Sequence, residues 1–168
     1  MALIGPVMVE EGTSNPEDAR QTTAAALRGA VLGLDFGLRR IGVAVGDLSL
    51  KIAHPLETID STEADVRFAR ISALVAEWRP VRLVVGMPTS GDGSEHDLAP
   101  AVHAFCGELE SRFSIPAQCV DERYTSAEAQ SRLRDIGVRG RAQKQYLDQV
   151  AATTILDDFF AHHDDKNT

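Results

Sequence analysis

The chain has 168 residues, of which 43% are hydrophobic and 25% charged, with a net charge of −8. That is the size of one domain with apolar material for a real core. No apolar run approaches the ~20 residues needed to span a bilayer. The mildly apolar start, Met1 to Val9, lacks a basic flank and meets Glu10-Glu11 at once, which argues against a signal peptide.

Residues 1–28 mix Gly, Pro, Ser, Asn, Thr and Glu without sustained periodicity and read as a disordered N-terminal arm. The ordered domain is expected over 29–160, with 161–168 a disordered acidic tail. Residues 31–36 (VLGLDF) read as a buried strand, and Gly37 to Arg40 as a turn. Residues 41–47 (IGVAVGD) alternate, with Ile41, Val43 and Val45 on one face. Gly42, Ala44 and Gly46 make the other face so small that a helix or ligand can approach it closely. A third strand over 52–58 completes a meander. A helix follows, capped by Ser61 or Thr62, with Val66, Ala69, Ile71, Leu74, Val75 and Trp78 as its apolar stripe up to Pro80. Residues 82–86 make a short buried strand, and 98–112 a helix with Pro100 in its first turn. A strand covers 116–121. Thr125-Ser126-Ala127-Glu128 is a capping box for a helix ending near Gly137, and a last helix runs from Ala142 to Phe160. This order predicts an α/β fold, a mixed sheet of five strands with helices on both faces.

Three carboxylates carry the chemistry. Asp35 sits in an apolar strand, where an acid costs free energy unless paired; it reads equally as a turn cap before Gly37. Asp121-Glu122 closes the last strand, and since neighbours face opposite ways only one of the two can point toward Asp35's side. Asp148 shares a helix face with Ala151, Ala152, Ile155 and Phe159, so it heads the stripe that must meet the sheet and wants a metal or a distant Arg. Two strand ends and one helix face can converge. Oxygen-only ligands suit Mg²⁺ or Mn²⁺, and two such ions ~4 Å apart can serve phosphodiester hydrolysis. Without a cation the acids repel one another, so Asp148→Asn is expected to raise stability in chelator.

The charge is unevenly spread. Residues 1–20 and 157–168 each carry −3, leaving −2 for residues 21–156. Within that core Arg132, Arg134, Arg139, Arg141 and Lys144 face the single acid Asp135, which reads as a solvated face or as a local phosphate-binding stretch. The segment Gly86 to Ser94 lacks a Walker lysine; it is an ordinary connection or a loop offering N–H groups to phosphate. Cys106 and Cys119 form neither a C-x-x-C pair nor a zinc set, and their apolar surroundings read as buried, reduced thiols suited to the cytoplasm.

Residues 31–47 (VLGLDFGLRRIGVAVGD), 85–94 (VGMPTSGDGS), 120–128 (VDERYTSAE) and 144–152 (KQYLDQVAA) resemble, in order and spacing, the four motif blocks of the YqgF family. That family is also described as Holliday-junction-resolvase-like, or as pre-16S rRNA nucleases. The resemblance implies a ribonuclease-H-like fold and a cytoplasmic nuclease dependent on Mg²⁺ or Mn²⁺. By position, Asp35, Glu122 and Asp148 match the catalytic, metal-binding acids, with Asp121 as understudy to Glu122. Arg39, Arg40, Arg123, Arg139, Arg141 and Lys144 are expected to hold nucleic acid. The implied role is trimming the 5′ end of the small-subunit ribosomal RNA precursor, with RNA as partner and no membrane. The alternatives are a resolvase acting on structured DNA and a non-catalytic RNA-binding assembly protein. Junction resolvases usually carry another acid three residues after the helix Asp, where this chain has Ala151, which weakens the first alternative. Asp35-Phe36-Gly37 also resembles the first phosphate-binding turn of actin- and hexokinase-like phosphotransferases, but those need two such domains.

Overall fold

The computed structural model describes residues 29–87, 97–121 and 140–163. Its elements in chain order are β1 (Ala30–Phe36), β2 (Arg40–Asp47), β3 (Ile52–Asp60), α1 (Ala64–Trp78), β4 (Arg82–Met87), α2 (Ala99–Phe113), β5 (Ala117–Asp121) and α3 (Arg141–His163). The strands form one sheet in the order β3-β2-β1-β4-β5. β1 to β3 are the expected antiparallel meander, and β4 and β5 add in parallel to β1. The capping-box helix expected after Thr125 lies outside the described residues.

β1 is apolar on both faces because it is the central strand, covered above and below. Its Leu32 and Leu34 join Ile41, Val43, Leu83 and Val85 in one core layer, completed by Phe68, Ile71 and Leu74 of α1 and Val102, Phe105 and Leu109 of α2. The opposite face of the sheet, with Val31, Ala44 and Val84, packs against Ala152, Ile155, Leu156, Phe159 and Phe160 of α3. The alternation in β2 therefore resolves as expected: its branched residues face α1 and α2, and its small residues take the helix on the other side.

Three details depart from the expected pattern. In α1 the buried positions are Arg67, Phe68, Ile71 and Leu74, whereas Val66 and Trp78 are exposed. Phe68 is drawn inward because it stacks beside Phe105, which stacks in turn on Phe36. The α1 cap position is Glu63 rather than Ser61 or Thr62; the Ser61 hydroxyl instead accepts the Glu63 N–H at 3.1 Å. β3 continues to Asp60, and its register against β2 shifts between Val43 and Ala44, where Pro55 stands opposite. A proline with no N–H to give is accommodated at such an irregularity of an edge strand.

The cysteines are closer than their separation in sequence suggests. Cys106 of α2 and Cys119 of β5 meet in the α1/α2 core layer, with their sulfurs 2.7 Å apart.

Candidate active site

Thr58, Gly42 and Asp35 lie opposite one another in register and form one row across β3, β2 and β1. The first turns of α3 are seated on this row. The Thr58 hydroxyl donates to the Gln145 carbonyl at 2.5 Å, and Gln149 Nε2 donates back to Thr58 Oγ1 at 3.2 Å. At the centre of the row the helix backbone reaches the sheet: a Cβ built on Gly42 would lie 2.0 Å from the Asp148 carbonyl oxygen. Only glycine permits that approach.

Asp35 belongs to the same face. Val31 packs in the α3 layer, and a Cβ on Gly33 would meet Leu156 of α3 at 2.6 Å. Strand alternation carries Asp35 to the same side. Asp35 and Asp148 therefore flank one glycine, from a strand and from a helix more than a hundred residues apart, and both are partly exposed. Arg40, at the start of β2, donates from Nε to Asp148 Oδ2 at 2.7 Å. The distant Arg that the helix acid was expected to want is thus present. This cation already offsets part of the expected charge repulsion between the acids.

The turn joining Asp35 to Arg40 is held from below by a residue that sequence reasoning missed. Arg67 is only 7% exposed. Its Nη2 donates to the Gly37 carbonyl at 2.6 Å, its Nε donates to the Ser61 carbonyl at 2.5 Å, and its guanidinium lies over the Phe36 ring. A charge-assisted pair of bonds to two carbonyls fixes the turn relative to α1. The signal was available: Arg67 lies one helical turn before Ile71, on the apolar stripe of α1, where a cation must find buried acceptors.

Of the other expected site residues, Arg39 is exposed in the β1–β2 turn, and Lys144 is exposed one turn before Asp148 on α3. Asp121 and Arg141 are described as backbone only. Glu122, Arg123, Arg139 and the loop from Pro88 to Ser94 lie outside the described residues. β5 leads toward Glu122 with Val120 against the α3 layer and Cys119 against the opposite one. Among the described residues no three His, Cys, Asp or Glu side chains gather as a metal site. Two of the expected ligands are brought together there. Their donors are carboxylate oxygens, which is the chemistry Mg²⁺ or Mn²⁺ takes.

A family model described as RuvX, Holliday junction resolvase, matches residues 29–162. The chain belongs to the RuvX family, also called YqgF. Its curated relatives agree. A protein of Methylobacillus flagellatus named "Putative pre-16S rRNA nuclease" is 53% identical over 137 residues, covering 82% of this chain and 94% of the relative. One of the same name from Nitrosomonas eutropha is 46% identical over 149 residues, covering 86% and 95%. The RuvX chain also shares its fold with solved resolvases of low identity. The RuvC of T. thermophilus in complex with a Holliday junction substrate has a TM-score of 0.50 at 15% identity, covering 80% of this chain and 95% of that one. The yeast mitochondrial Holliday junction resolvase Ydc2 has a TM-score of 0.51 at 13% identity, covering 77% of each. The ribonuclease-H-like fold implied by the motif blocks is therefore the fold of the chain, and its family is one of nucleases.

Proposed function

We propose that this chain is a divalent-metal-dependent endonuclease of the cytoplasm that trims the 5′ end of pre-16S ribosomal RNA during assembly of the small subunit. The observation that carries the reading is that Asp35 and Asp148 flank Gly42, at the point where α3 rests on the sheet. The names of the curated relatives support the RNA substrate.

Asp35, Asp148 and Glu122 are the catalytic acids of this reading. The motif blocks favour Glu122 as the third acid, with Asp121 as its understudy. These acids would hold Mg²⁺ or Mn²⁺, which when bound supplies an activated water and charge neutralisation at the phosphodiester. Arg40 holds Asp148 in place through its Oδ2 and brings a cation next to the acids. Arg39, Lys144, Arg123, Arg139 and Arg141 hold the RNA backbone by charge, which positions a substrate without reading its sequence.

Ala151 bears on the DNA alternative. It is 8% exposed, packed one turn beyond Asp148, and adds no further carboxylate for a junction. The test is incubation with a pre-16S 5′ leader RNA and with a four-way DNA junction, with Mn²⁺ or chelator, using the wild type, Asp35→Asn and Asp148→Asn. RNA cleavage that needs Mn²⁺ and is lost in both variants is expected. Cleavage of the junction alone, or RNA cleavage that survives both substitutions, would overturn the reading.

A further inference from the structure

Cys106 and Cys119 are separated by 12 residues that turn from α2 into β5, and each is a small apolar packing residue at first sight. Their sulfurs lie 2.7 Å apart, within hydrogen-bonding contact. Bond formation at ~2.05 Å requires an approach of only about 0.7 Å. The two sulfurs differ in surroundings. Cys106 is 8% exposed, while Cys119 is more accessible.

We propose that Cys106 and Cys119 form a reversible thiol modification site, which small disulfides such as oxidised glutathione convert to an intramolecular disulfide tying α2 to β5.

The chemistry assigns an order to the two thiols. The hydrogen-bonding contact with Cys106 holds the Cys119 thiol below its ordinary pKa, and the same contact, with burial, pushes Cys106 above it. Cys119, the more accessible of the two sulfurs, is therefore the attacking thiolate. Its sulfur attacks one sulfur of the small disulfide, the S–S bond breaks, and one thiolate leaves. Capping Cys119 removes the neighbouring charge that suppressed ionisation of Cys106. Cys106 then gives up its proton to solvent, attacks the Cys119 sulfur and expels the second thiolate. The small disulfide gains two electrons and two protons, and the protein loses two hydrogens.

The location gives the bond a consequence. Among the described residues β5 is an edge strand, paired only with β4, and the bond would anchor its inner side to a helix. β5 is also the strand that runs into Glu122, so the bond would steady the approach to the third acid; this last link rests on the nuclease reading, while the bond itself does not.

The test treats the full-length chain with oxidised glutathione, followed by alkylation, mass measurement and thermal melting. The wild type is expected to lose both alkylatable thiols and two hydrogens of mass, to melt roughly 5–10 °C higher as a short loop is closed, and to revert in dithiothreitol. Cys106→Ser is expected to hold one glutathionyl group at Cys119, and Cys119→Ser to react far more slowly, because Cys106 is buried. A wild-type chain that keeps both thiols, retains a stable glutathionyl group, links to a second chain or melts no higher would overturn the proposal. None of these readouts depends on nuclease activity, so failure here and failure of the nuclease reading are distinguishable.

Discussion

Gly42→Ala is the most demanding test of how the site is assembled. The added methyl would lie 2.0 Å from the Asp148 carbonyl oxygen, where ordinary contact begins at 3.4 Å. The helix must therefore withdraw roughly 1.4 Å or the strand must bend. Neither partner is a flexible side chain end, and α3 is bolted on one side through Thr58. The cost should reach the upper end of the ~1–3 kcal/mol typical of overpacking. For a chain of this size, about 3 kcal/mol corresponds to a fall in Tm of roughly 6–12 °C. The same displacement moves Asp148 away from Asp35. Nuclease activity, assayed well below the melting temperature, should therefore fall more than stability alone explains. Gly46→Ala is the milder internal comparison, because its methyl meets the tip of the Phe160 ring at 2.8 Å and the Ile52 carbonyl oxygen at 3.1 Å, well short of the 2.0 Å approach at Gly42. Melting curves of both variants, with single-turnover cleavage at low temperature, decide the matter. If Gly42→Ala melts within a degree or two of wild type and no lower than Gly46→Ala, α3 does not rest on β2 at this point and the convergence of the acids is not built on it.

Gly107→Ala should stabilise by about 0.5–1 kcal/mol in urea titration, since nothing lies within 4 Å of its new Cβ and it sits inside α2. Asp148→Asn loses the charged partner of Arg40, a part-buried pair whose side chains are 26% and 20% exposed, worth about 1 kcal/mol. It should therefore melt slightly lower than wild type in chelator, not higher as three unpartnered acids would require. In Mn²⁺ at ~100 times its dissociation constant, the wild type should gain roughly 2.7 kcal/mol and the variant clearly less; an equal gain in calorimetry would remove Asp148 from the metal site. Arg141→Ala with Lys144→Ala should lessen the slope of log affinity for single-stranded RNA against log salt by roughly 1.4, and an unchanged slope in filter binding would make both residues bystanders. Arg67→Lys cannot bond both the Gly37 and Ser61 carbonyls, so it should cost about 1.5–3 kcal/mol on denaturation.

Much of this architecture was legible because period and residue size speak directly to packing. The alternation in β2 separated a branched face from a glycine face, and α3 carried its small residues, Ala151 and Ala152, where a sheet had to be met. Asp148 was singled out for the same reason: an acid at the head of an apolar stripe needs a partner. The identity of that partner was not legible, because Arg40 is 108 residues away and only the fold brings its Nε to the carboxylate. α1 misled for a related reason. Val66 and Trp78 fit a helical stripe on hydrophobicity alone, but the aromatic stack of Phe36, Phe105 and Phe68 rotates the buried face toward Phe68 and draws Arg67 in beside it. Nor does spacing along the chain announce that Cys106 and Cys119 touch, since their contact depends on how α2 packs against an edge strand.

The seat of α3 on Gly42 also orders events in time. During synthesis β1, β2 and β3 emerge first and can pair locally, while the glycine-lined face of the meander stays bare until residues 141–163 have followed. Asp35 and Arg40 are then present, but the helix that brings Asp148 to them is not. The catalytic arrangement proposed for this chain would consequently be absent from any partial product that lacks α3 and would arise only when that helix docks. For a protein read as cutting RNA, made by a machine built largely of RNA, cleavage would then wait on the emergence and docking of α3.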